Sequence, residues 1–350
     1  MNKPIDTAAL SKATMGATPP PTNSRIIGHL DRAALRWIAA SRLMFAAFGD
    51  SSALGVTLGG GVTGFANGDT YELRLPIAML DDPALAVPGQ GFGSLFLLPC
   101  IGETMRVNGT VREVRNGEIR IAVEECYGHR DEALIRSEYW AALFEMLAPQ
   151  GVSAFAAANR FMALATVDAW GRVELSPKDD PAGILARSGG NSFTERPGNH
   201  LFGHHLAQPQ AAAMVLVLGS AQVVHVSGNV RISADQTACA PFVFQDKTSA
   251  LVAIIEDPAA EIGESPTLLR LGDWPGRPPA RTMEAAKPFA AYIRLGRDTG
   301  LGAELASAAV SVPGVSDLLR KGLETDRRGS VRFHRDRRAS DMVPIPPHQR

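Results

Sequence analysis

The sequence predicts a mainly β protein with flanking helices, an α+β chain of two tandem domains with a C-terminal helical extension. Three observations carry this. The 350 residues include 34 glycines and 24 prolines, about one residue in six, a turn-rich composition that goes with short connections between strands. Short apolar or alternating runs recur between turn signals. The strongest of these is Asn116-Gly117, where both positions tolerate positive φ. The order of the runs also repeats. Arg42-Leu-Met-Phe-Ala-Ala aligns with Arg160-Phe-Met-Ala-Leu-Ala at an offset of 118, and Val107-Asn-Gly-Thr-Val111 with Val226-Ser-Gly-Asn-Val230 at an offset of 119. A period this long is not a solenoid repeat, so each copy is expected to be a domain.

Taken in order, residues 1–28 read as a polar, Pro-rich leader through Pro19-Pro20-Pro21. Leu30, Ala33, Ala34 and Trp37 have the i, i+3, i+4, i+7 spacing of a helix face. Leu43 to Phe48 is a short apolar run that stops at Gly49-Asp50-Ser51-Ser52. Leu54 to Leu58 and Thr70 to Leu75 alternate as strands, and Gly93 to Leu98 is a buried-strand candidate. Met105 to Val114 and Glu118 to Val123 flank the Asn-Gly turn as a hairpin, and Arg130 to Leu147 returns to helical periodicity.

The second pass begins with the Ala-rich Val152 to Asn159. Arg160 to Val167 is apolar, Arg172 to Ser176 alternates, and Ala211 to Leu218 and Gln222 to Ile232 complete the strands. The expected domains are 29–136 and 137–256. Asp257 to Ala280 reads as a linker that opens a helical extension over 257–324, and 325–350 is a basic, Pro-rich tail with Arg327, Arg328, Arg332, Arg335, Arg337 and Arg338.

Composition excludes several functions. A formal charge of −1 lacks the basic excess of a dedicated nucleic-acid binder. Cys100, Cys126 and Cys239 form no CxxC pair, and free thiols without a signal-type apolar run fit the cytoplasm. No stretch of about 18 uninterrupted apolar residues exists to span a membrane. Gly89-Gln-Gly-Phe-Gly93 precedes a strand instead of linking a strand to a helix, which removes it as a dinucleotide loop. His200, His204 and His205 have a spacing seen in metal or haem ligation, but Gly203 and Pro209 shorten any helix there, and no metal is expected. His129 reads as a structural residue at a helix start.

The run from Phe161 to Gly183, FMALATVDAWGRVELSPKDDPAG, resembles the first hairpin of pyridoxamine 5′-phosphate oxidase-like, FMN-binding split-barrel proteins. Glu195-Arg-Pro-Gly-Asn199 resembles the turn that follows it. Gly102-Glu-Thr-Met-Arg-Val-Asn-Gly109, after Leu95-Phe-Leu-Leu-Pro99, resembles a later strand, and His129 with Ala133 to Trp140 the closing helix. The resemblance covers roughly residues 29–256. It implies two antiparallel Greek-key split barrels that pair within one chain as a pseudo-dimer, with FMN in the groove between them. Such a chain would be a monomer or a weak homo-oligomer acting on a small-molecule substrate.

The two copies depart from this pattern in opposite ways. Copy 1 has Leu58-Gly-Gly-Gly-Val-Thr-Gly64 where copy 2 has Ser176-Pro-Lys-Asp-Asp-Pro-Ala-Gly183, and copy 2 has Ala221-Gln-Val-Val-His225 where copy 1 has Gly102-Glu-Thr-Met-Arg106. One composite groove is therefore expected, with Ser176, Lys178, Arg196, Asn199 and His200 toward the phosphate and Glu103, Thr104 and Arg106 near the ring. A phosphate dianion needs such cations and hydrogen-bond donors. The opposite groove, beside Gly59–Gly61 and His225, is expected to be dead. Competing readings are a scaffold that lost its cofactor, or a haem- or deazaflavin-binding relative. No catalytic proton donor is identified.

Overall fold

The computed structural model describes residues 26–272, except 100–101, 131–132, 135–136, 138, 142–150, 180–185, 188–191, 196–207, 245–246 and 250. Helix α1 (Arg32–Ala40) starts at Asp31, whose side chain accepts the Ala34 amide at 2.7 Å. Its Ala34, Trp37 and Ile38 are buried, and the Trp37 indole donates to the Phe96 carbonyl at 3.0 Å. The predicted helix face is thus the one that packs.

Seven strands follow: β1 (Leu43–Gly49), β2 (Leu54–Gly60), β3 (Asn67–Gly68), β4 (Glu72–Pro76), β5 (Gly91–Leu97), β6 (Glu103–Arg115) and β7 (Glu118–Arg130). They form one antiparallel sheet in the order β2-β1-β5-β6-β7-β4-β3. Asn116 and Gly117 both adopt positive φ at the β6–β7 turn, as the hairpin requires.

After α2 (Val152–Ala158) come β8 (Phe161–Val167), β9 (Val173–Asp179), β10 (Ala186–Arg187), β11 (Ser192–Glu195), β12 (Gln210–Leu216) and β13 (Gln222–Ser233). A short helix α3 (Gln236–Cys239), a two-stranded ribbon of β14 (Val243–Phe244) and β15 (Lys247–Thr248), strand β16 (Leu251–Glu264) and helix α4 (Pro266–Leu271) complete the described chain. The second sheet runs β10-β11-β16-β13-β12-β8-β9. Read from its other edge, this is the strand order of the first sheet, with β9 for β2, β8 for β1, β12 for β5, β13 for β6 and β16 for β7. The expected mainly β class, with antiparallel sheets and few helices, is what the described residues adopt.

The apolar runs owe their composition to burial on both faces. In β1, Leu43, Phe45 and Ala47 join a central layer, while Met44, Ala46 and Phe48 face the first sheet's own core with Phe92, Phe96, Met105 and Val107. In β8, Phe161, Ala163, Ala165 and Val167 join the same central layer, and Met162 and Leu164 face the second sheet's core with Phe193 and Val226. The central layer therefore belongs to both sheets. Contacts across it are reciprocal: β5 meets β9 as β12 meets β2, β1 meets β9 as β8 meets β2, and β6 meets β9 as β13 meets β2. This is the pattern of an isologous interface, closed here within one chain.

Some sequence expectations are corrected. The stretch expected to be a linker from Asp257 is the second half of β16, which continues to Glu264 and runs into α4. Residues 256–261 are exposed and hold strand conformation by pairing with β13, a long-range interaction with no apolar signature. The run from Glu118 likewise extends past Val123 to Arg130, so His129 lies in β7 opposite Thr104 and not at a helix start. Of the helix expected from Arg130 to Leu147, the described part includes a turn of 3-10 helix at Tyr139–Ala141, with Tyr139 edge-on to Phe161 at 4.8 Å. Most of the leader, most of the helical extension and the basic tail lie outside the described residues; at the leader's end Ile27 is buried and bridges Cys126.

Glycine at 93 is required by the close approach of β5 to β9. A Cβ there would lie 2.9 Å from the Val173 carbonyl oxygen and 3.2 Å from the Leu175 nitrogen. Gly93→Ala is expected to destabilise the protein by about 1–3 kcal/mol in urea unfolding, the usual cost of overpacking. Gly263→Ala, where a Cβ meets nothing within 4 Å, is the control and should change stability by less than about 0.5 kcal/mol.

Candidate functional site

The β6–β9 junction brings the two sheets' polar side chains together. Along β6, Met105 and Val107 enter the first sheet's core, so Thr104, Arg106 and Asn108 project from the opposite face, toward the second sheet. Along β9, an edge strand, Val173 and Leu175 enter the central layer. Glu174, Ser176 and Lys178 therefore share the other face, opposite Thr166, Leu164 and Met162 of β8.

Arg106 joins the two strands. Its Nη1 lies 3.2 Å from Glu174 Oε1, with side-chain exposures of 5% and 14%. The same nitrogen is 3.5 Å from the Tyr127 hydroxyl, and the guanidinium sits 5.7 Å from the centre of that ring. Burial pushes the Tyr127 hydroxyl well above its ordinary pKa, which outweighs the lowering effect of Arg106, and Tyr127 is a neutral phenol at physiological pH.

Beyond this ion pair the junction opens into a small cleft of about 90 Å³ lined by Asn108, Glu124, Glu125, Asp168, Arg172 and Glu174, among others. Asn108 Nδ2 donates to Glu125 at 3.1 Å, and Arg172 pairs with Asp168 at 2.7 Å. Burial raises the Asp168 carboxyl, but the Arg172 amide and guanidinium and the Trp170 amide outweigh it, and the pKa ends below its ordinary value. Carboxylates predominate in this lining.

The sequence-predicted residues divide as follows. Arg106 and the β9 strand bearing Ser176 and Lys178 come from opposite sheets and meet at this junction. Ser176 is buried, and Lys178 places its ammonium 5.7 Å from the centre of the Phe193 ring. Glu103 is half-buried at the start of β6. Thr104 is only 1% exposed, yet its Oγ1 finds no hydrogen-bond partner among the described residues. Arg196, Asn199 and His200 lie outside the described residues. Sequence reasoning missed Glu174 as the partner of Arg106. The strand alternation that carries Ser176 and Lys178 puts Glu174 on the same face, so period two was the available signal. Tyr127 and Glu125 had no such signal, because their place depends on the β6–β7 register and the bulge at Asn108/Gly109.

The second groove, between β13 and β2, has a different occupant. Helix α4 follows β16, the Ser265 amide donating at 2.9 Å to the carbonyl of Ala221 at the start of β13, and Arg270 Nε reaches the Gly60 carbonyl at 3.2 Å. The described residues include no helix long and apolar enough to cross a membrane.

No family model matches the chain, and no curated protein matches it. Solved structures similar to parts of it include HupZ of Group A Streptococcus, at 15% identity and a TM-score of 0.27, covering 33% of this chain and 92% of that one. A NimC/NimA family protein of Clostridium acetobutylicum matches at 10% identity and 0.25, covering 35% and 91%. An F420 reductase matches at 17% identity and 0.25, covering 33% and 98%. Likenesses of this size establish neither ligand nor activity.

Two outcomes are expected. Arg106→Ala removes the buried cation that pairs with Glu174 and should cost about 1.5–3 kcal/mol in chemical unfolding, whereas Arg106→Met combined with Glu174→Leu should recover part of it. Asp168, with its folded pKa below the unfolded value, contributes stability that is present above the ordinary carboxylate range and lost as pH falls through the folded value. Asp168→Asn should therefore be less stable than wild type at pH 7 and lose less on acidification below about pH 4, measured as Tm against pH.

Proposed function

We propose that the chain is an FMN-binding oxidoreductase of the pyridoxamine 5′-phosphate oxidase-like type, with one composite site between its two sheets and a small-molecule substrate. The observation that carries the reading is the buried Thr104 hydroxyl, unsatisfied among the described residues, on the same face of β6 as Arg106, which pairs with Glu174 of β9. A buried hydroxyl without a partner costs about 1–3 kcal/mol, and a polar ligand atom in the groove is a natural way to recover it. The shared strand order and the 118–119 residue offset support reading the two halves, 29–136 and 137–256 with its continuation through β16, as copies of one unit.

In this reading Lys178 and Arg196 supply charge to the phosphate, Ser176, Asn199 and His200 supply hydrogen bonds, and Glu103, Thr104 and Arg106 border the ring. The acidic cleft past Glu174 repels a phosphate and so favours one orientation, with the phosphate toward Lys178. Bound FMN supplies the redox chemistry, while the protein binds it, orients it and tunes it through hydrogen bonds near the ring. Arg106 is held by Glu174, which lowers the net positive charge of the groove. That observation favours the competing reading, a cofactor-free binding or scaffold module.

The absorbance spectrum of the purified protein separates these readings. A flavin spectrum is expected, from the isolated protein or after adding FMN. A colourless protein that ignores FMN overturns the proposal, and a haem or deazaflavin spectrum replaces the cofactor. Lys178→Ala with Arg196→Ala should weaken FMN binding by about 1.5–3 kcal/mol per charge, measured by fluorescence titration. Retention of wild-type affinity removes these residues from the site. Thr57→Ala, at the place in β2 that corresponds by strand register to Ser176 in β9, should leave the affinity unchanged.

A further inference from the structure

The two grooves related by the internal pseudo-symmetry differ in what fills them. Positions 222 and 59 of the second groove correspond to Glu103 and Lys178 of the first: 222 by the offset of 119, and Gly59 because it pairs with Met44 as Lys178 pairs with Met162. Helix α4 spans just these two places. It starts at the Ala221 carbonyl beside Gln222 and ends against Gly60 and Gly61, where a Cβ on Gly61 would strike the Arg270 side chain at 2.5 Å. Gly61 has φ +100, so the backbone there also favours glycine.

The anchoring is extensive for a six-residue helix. Asp81 Oδ1 accepts the Thr267 amide at 2.8 Å and the Thr267 hydroxyl at 2.7 Å, and Asp81 Oδ2 accepts the Ser265 hydroxyl. Asp81 is itself tied to β2, because its amide donates to the Leu58 carbonyl at 2.9 Å. Arg270 donates to the Gly60 and Met79 carbonyls, each at 3.2 Å, and Arg42 to the Leu271 carbonyl at 3.1 Å. Leu268 and Leu271 join the central apolar layer between the sheets. A segment that continues the second sheet is therefore fastened to the first by side chains of both.

We infer that α4 is an internal strap: it fills the second groove and locks the two sheets together at that end, while among the described residues the β6–β9 junction has no such helix. The identification of that groove as a former ligand seat rests on the composite-site reading. The strap itself does not.

Hydrogen exchange on the full chain tests it. Asp81→Ala and, as a milder change that preserves folding, Thr267→Val are compared with wild type. Exchange in 266–272 should accelerate about tenfold or more with Asp81→Ala, the opening expected when capping hydrogen bonds are lost. The acceleration should spread to β2 and β12, which meet across the central layer. A smaller change of the same pattern is expected for Thr267→Val. Acceleration confined to 266–272, or none in either variant, overturns the strap. Titration of wild type with FMN then separates the two ideas. One equivalent per chain fits both, two overturn the filled groove, and no binding refutes the composite site while the exchange result still decides the strap.

Discussion

The architecture depends on one apolar layer that two sheets share. Because β1, β5, β8 and β12 each send alternate side chains into it and the rest into their own sheet's core, these strands have no solvent side. Such strands must be apolar throughout and partly small, and Ala47, Ala163, Ala165 and Ala212 all lie in the layer. Gly93 meets the same demand where β5 passes the backbone of β9. Packing at this density fixes the relative position of the sheets, and with it which polar residues face each other at the edges.

Most of the fold was legible because its signals are local. Two-sided burial writes continuous apolar runs, and Asn116-Gly117 writes a hairpin. The site was legible only in part. Period two marks which β9 residues share a face, but the meeting of Arg106 with Glu174 depends on how two sheets dock, which no local pattern records. The outer half of β16 was hidden for a related reason: its exposed residues 256–261 lie along β13 and bury little. Gly and Pro near Asp257 mimic a linker, and Asp257 does adopt a positive φ of 46 there, a local irregularity inside a continuing strand.

The polar junction works against the sheets' apolar docking energetically and in favour of it geometrically. A buried pair such as Arg106–Glu174 gains little over a well-packed apolar pair, since both ions lose hydration. Misaligned docking, however, would separate the two charges, so the pair favours the observed arrangement. The second groove reaches the same end with Asp81, Thr267 and Arg270 and a helix that brings its own leucines. The two ends of one pseudo-symmetric contact thus use different chemistry, one ionic and lean, the other helical and full.

Since both halves of the contact belong to one polypeptide, dilution does not separate them. Tethering holds such partners at an effective concentration of roughly millimolar, whatever the amount of protein in solution. It also frees each position from its mirror image. In an identical pair every replacement on β6 would appear twice, whereas here β6 carries Arg106 and β13, in the matching place of the second sheet's order, carries His225. Asymmetry that a symmetric assembly has no means of encoding is thereby open to a single gene product.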